Sequence, residues 1–98
     1  MQRTPLTLAN HTFEAATQLA LLLSGDVRIP DPGPLLAALR ATDLMLARSY
    51  KELADAADGA GQDDAAAELR AALAYHAEAA NAVARAIQAF RAARRPDR

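Results

Sequence analysis

Cysteine and tryptophan are both absent, and the 98 residues include only two tyrosines and two phenylalanines. Without cysteine there can be no disulfide staple, thiolate nucleophile or thiolate metal site, which fits the cytoplasm. With so few rings, a core built on large aromatic side chains is excluded. Neither sign of charge dominates: 11 basic residues face 12 acidic ones, for a formal net charge of −1. No global field therefore draws the chain to nucleic acid or to an anionic membrane. Long apolar runs are missing too. Leu19–Leu23 is too short for a membrane span, and Asn10, His11, Glu14 and Gln18 interrupt any signal-peptide core.

What the chain has is alanine and leucine, within a hydrophobic share of 52%. Both residues favour helices, and alanine lets helices pack closely. Lys51 is the only lysine beside many arginines. Together with the abundant Ala and Asp, that is the composition expected of a GC-rich bacterial coding sequence. The length suits one domain, residues 1–95 with a frayed tail at 96–98. The core of such a domain is thin, and partner subunits are a common way to enlarge it.

The patterning predicts three helices. The first runs over about 5–23, with Thr4 as N-cap, Pro5 at the first turn and Gly25 as a left-handed C-terminal residue. Pro30, Pro32 and Pro34 then forbid helix through the connector, where Val27 and Ile29 are expected to fold over one end of the bundle. The second helix runs over about 34–57, capped by Asp31 or Gly33. Its stripe of Leu35, Leu39, Leu46, Tyr50, Leu53 and Ala57 contains a seven-residue repeat and is read as the inner face. Gly59-Ala60-Gly61 is a short break, which makes the next helix an antiparallel neighbour. The third helix, about 63–93, starts on Asp63 and Asp64 and ends among arginines, as its dipole favours. Its inner stripe is Leu69, Leu73, His76, Ala80, Val83, Ile87 and Phe90, with alternating spacings of three and four. The fold expected is all-α: a three-helix antiparallel bundle with a Pro-rich connector between helices 1 and 2, assembling into a larger helical bundle. Helix 3 would overhang helix 1 by roughly 15 Å at ~1.5 Å per residue.

His76 is the most chemically interesting residue, since it sits in the middle of an apolar stripe. A buried polar group needs a partner, and Asp43 or Ser49 at the edge of helix 2 is in reach. His76 and Asp43 are thus a candidate polar core site. His11-x-x-Glu14 places two metal-ligand types on one face, but on the outer side of helix 1, and is read as a solvated face. No cofactor is expected. Ser24 and Ser49 lack a nucleophile elbow, and the Gly59–Gly61 turn precedes acidic residues that would repel phosphate. Arg85, Arg91, Arg94, Arg95 and Arg98 are read as dipole complements rather than as a nucleic-acid surface.

Apolar residues outside the main stripes are the best functional signal. Leu21 on helix 1, Leu44 and Met45 on helix 2, and Tyr75, Ala79, Ala82 and Ala86 on helix 3 form secondary apolar strips. They are the candidate interface residues. The expected partner is another copy of the chain or another helical protein, with no membrane and no nucleic acid.

Two resemblances accompany this reading. Arg70 and His76 fit the Arg-x(4–6)-His pattern and so resemble the HEPN ribonucleases, which implies all-helical dimers acting on RNA phosphodiesters. Ala71 departs from the polar residue that usually follows the Arg. In length and in the source its composition suggests, the chain is also similar to the small secreted helical-hairpin proteins of the WXG100 type. It departs from them at the turn, which reads Gly59-Ala60-Gly61. Ala54 and Ala79 stand where a Tyr-x-x-x-Asp/Glu export signal would need an acid. The function expected first is a non-enzymatic, self-associating interaction or structural module.

Overall fold

A computed structural model describes residues 4–25 and 28–94. It is all-helical, with α1 at Pro5–Ser24, α2 at Gly33–Gly59 and α3 at Asp63–Arg94. The chain divides into two units, one up to Pro30 and one from Asp31 onward.

The first unit is α1. Its start follows from Thr4, whose hydroxyl oxygen accepts the Thr7 N–H at 3.1 Å, with Pro5 filling a position that needs no donor. Its end differs from expectation. Gly25 is extended (φ −84°, ψ −173°) rather than left-handed. The last carbonyls are met without that turn: the Gly25 N–H reaches Leu22 and the Ser24 hydroxyl donates to Leu21. No residue of α1 is buried. Val27 lies outside the described residues, while Ile29 is exposed.

The second unit is α2 packed on α3. At the start of α2 the Asp31 carboxylate accepts the Gly33 N–H at 3.1 Å. At its end the Gly61 N–H bonds Asp58 and the Gln62 N–H bonds Ala57, the paired bonds of a Schellman motif. That motif needs a left-handed residue, and Gly61 supplies it at φ +73°. The chain therefore reverses within the three residues Ala60, Gly61 and Gln62, and α2 and α3 run antiparallel. Contacts along the pair confirm the direction. Asp58 meets Arg70 near the turn, Tyr50 meets His76 midway, and Asp31 meets Arg94 at the far end.

The seam between α2 and α3 is lined by alanine. Among the described residues, Ala47, Ala54, Ala66 and Ala80 are the buried hydrophobic ones, at 7%, 1%, 0% and 1% exposure. The expected inner stripe of α2 is half-buried at Leu35, Leu39, Leu46, Tyr50 and Ala57, and departs from expectation at Leu53. Ala47 and Ala54 take the seam, seven residues apart, while Leu53 is left 54% exposed. Small side chains at these positions let the two backbones approach. On α3 the expected stripe holds from Leu69 to Ile87, but Phe90 is 48% exposed.

Candidate interface

A two-helix hairpin has two flanks, and heptad position tells them apart. With Ala47, Ala54, Ala66 and Ala80 in the seam, the positions just before them fall on one flank of both antiparallel helices. On α2 these are Leu39, Leu46 and Leu53. On α3 they are Ala65, Ala72, Ala79, Ala86 and Ala93, an unbroken alanine row. The contacts that fix the register set Leu53, Leu46 and Leu39 level with Ala72, Ala79 and Ala86. Just outside them lie Leu35, Thr42, Ser49 and Ala56 on α2, and Glu68, Tyr75, Ala82 and Ala89 on α3. Glu68 is the only charged residue among these positions.

The opposite flank is charged. Lys51 and Asp55 pair at 2.9 Å, and Arg70 reaches from α3 to Asp55 at 3.6 Å and to Asp58. The Lys51 hydrogen bond and charge hold the Asp55 carboxyl below its ordinary range. Asp55 raises Lys51 in return, and Asp58 raises Arg70. All these groups are solvent-exposed, so the pairs are screened and add little to stability. Near the far end, Pro34, Ala37, Ile87 and Phe90 line an open groove of about 410 Å³, beside the Asp31–Arg94 pair at 2.8 Å.

The candidate interface residues divide between these surfaces. Ala79 and Ala86 stand in the alanine row, half-buried, with Tyr75 (76% exposed) and Ala82 at its rim. Leu44 lies on the charged flank, and Met45 points away from the seam. Leu21 belongs to the first unit and is exposed on α1. The leucine row is legible in the sequence as a seven-residue repeat. Its companion row of alanines was visible at the same spacing.

His76 and Asp43 meet across the seam. His76 Nδ1 lies 3.0 Å from Asp43 Oδ1, and both side chains are partly buried. The imidazole stacks on Tyr50, with ring centroids 5.3 Å apart. Ser49 is occupied elsewhere, donating to the Met45 carbonyl. Arg70 and His76 are held by different partners: Arg70 by the acids near the turn, His76 by Asp43 and Tyr50. Among the described residues, no group of three or more His, Asp or Glu side chains could hold a metal ion. No described helix is long and apolar enough to cross a membrane.

No known protein family, curated protein or solved structure matches the chain significantly.

Proposed function

We propose that the chain is a non-enzymatic helical module that associates with further copies of itself. One observation carries this: among the described residues, no side chain larger than alanine is buried. A helical unit of this size is normally held by several buried leucines or aromatics, each contributing about 1.5–3 kcal/mol. Here Leu6, Phe13, Leu21, Leu22, Met45, Leu53 and Tyr75 are all more than half exposed. Assembly would remove such side chains from water and thicken the core. A three-helix antiparallel bundle within each single-domain subunit, a larger bundle between subunits and a cytoplasmic location belong to the same proposal. Sedimentation velocity from micromolar to millimolar concentration tests it. A mass at least twice that of the chain is expected, and a monomer throughout defeats the proposal.

The α2–α3 hairpin also supports a second reading, an exported hairpin partner similar to the WXG100 type. Recovery of the chain from culture supernatant without lysis would favour it. Strictly intracellular retention would count against it.

A further inference from the structure

We infer that the leucine–alanine flank of the α2–α3 hairpin is the surface on which two copies meet, face to face about a twofold axis parallel to the helices. This deepens the self-association proposed above and rests on it. The inference starts from register. A twofold axis parallel to the helices preserves height, so it lays α2 of one copy over α3 of the other at the same level. Leu39, Leu46 and Leu53 of one copy then sit over Ala86, Ala79 and Ala72 of its partner, and the reverse holds by symmetry. Each layer of the resulting four-helix bundle contains two leucines and two alanines, large against small. Every neighbouring pair of helices is antiparallel.

Two further observations favour a second copy as the occupant. The first is charge. Lys51, Asp55, Asp58 and Arg70 all lie on the other flank. The leucine–alanine flank carries Glu68 near the turn, and the part-exposed Asp43–His76 pair stands between its rows. The second is area. α2 is 27 residues long. At about 1.5 Å per residue and about 10 Å per helix width, the flank spans about 800 Å², or about 1,600 Å² over two copies. That is the size a stable, specific interface needs. Tyr75 stands at the rim with its hydroxyl able to stay wet.

A complementation experiment tests the arrangement. Leu46→Ala places alanine over alanine in the central layer of the homodimer, and Ala79→Leu places leucine over leucine. Each homodimer should dissociate with a constant raised about a hundredfold. Mixing the two variants restores leucine over alanine at both sites of that layer. Native mass spectrometry of an equal mixture should therefore show the mixed dimer well beyond the half share that random exchange gives. Leu44→Asp, on the charged flank, should leave the wild-type dimer intact. The Leu53→Ala and Ala72→Leu pair repeats the test in another layer should Ala79→Leu lose its helicity by circular dichroism. A wild-type chain that stays monomeric overturns self-association itself. A wild-type dimer with no excess of the mixed species, or one broken by Leu44→Asp, overturns the assigned face and leaves self-association standing. A monomer whose flank is covered by α1 belongs with the first outcome, because no mixing of copies could rescue it.

Discussion

Removing Asp43 should destabilise the hairpin by about 1 kcal/mol, at the low end of the range for stranding a polar group. The low end applies because His76 is 29% exposed, so water reaches the nitrogen that Asp43 leaves. Removing His76 should cost more, about 2 kcal/mol. It strands Asp43 and also takes away the ring stacked on Tyr50, a contact worth about 0.5–1.5 kcal/mol. If the two side chains act through each other, Asp43→Ala combined with His76→Ala should be less damaging than the sum by about 1 kcal/mol. The assay is urea unfolding followed by far-ultraviolet circular dichroism at neutral pH. Protomer concentration must be held fixed, since assembly shifts apparent stability by mass action. In thermal unfolding the same coupling should appear as about 4–8 °C for a domain of this size. Additivity within about 0.3–0.5 kcal/mol would refute the coupling and reduce the pair to two independent solvated groups. A companion variant sharpens the point: Asp43→Leu with His76→Leu should be neutral or stabilising, because it removes both polar groups together.

Three other predictions test separate parts of the structure. Ala66→Leu puts a large side chain at a position with 0% exposure, forces the helices apart near the turn, and should cost about 1–3 kcal/mol in the same urea assay. Gly61→Ala should cost about 1 kcal/mol through its left-handed backbone alone, since a Cβ there meets nothing within 4 Å. Gly59→Ala, equally unobstructed and helical, should be stabilising by about 0.4–1 kcal/mol, and a shared sign for the two would refute the Schellman assignment. Asp55→Asn probes the charged flank. Because the folded carboxyl sits below its ordinary range, its stabilising effect is fully present above about pH 3.9 and is lost as pH falls through the lowered folded value. Wild type and variant should therefore differ slightly at neutral pH, converge in acid, and also converge in molar salt.

The helices and their ends were legible because their signals are local. Thr4 before Pro5, Asp31 two residues before the first N–H of α2, and Gly61 after Asp58 each act over a few residues of chain. Gly25 shows where such logic stops. Glycine permits a left-handed turn without requiring one, and Ser24 offered the carbonyls another donor. The seam was harder to read for a different reason. Leu39, Leu46 and Leu53 form the stronger hydrophobic repeat, and transfer free energy ranks leucine above alanine. What decides the seam is how closely two backbones can approach, and that favours Ala47 and Ala54. The pairing of His76 with Asp43 was within reach, because a histidine in an apolar stripe demands a partner on the facing helix. The leucine–alanine flank was not, because it exists only once both helices and their register are known.

An alanine seam also inverts the usual map of mutational tolerance. In most cores the bulkiest side chains are the least replaceable, and small residues are filler. Here the smallest side chains, Ala54 and Ala66 above all, are the ones with no room for change in either direction. Anything larger wedges the helices, and glycine loosens them. In a saturation screen read at high dilution, those alanines should be the positions under strongest purifying constraint. Leu39, Leu46 and Leu53 should look permissive there and become intolerant only when the screen rewards the assembled form.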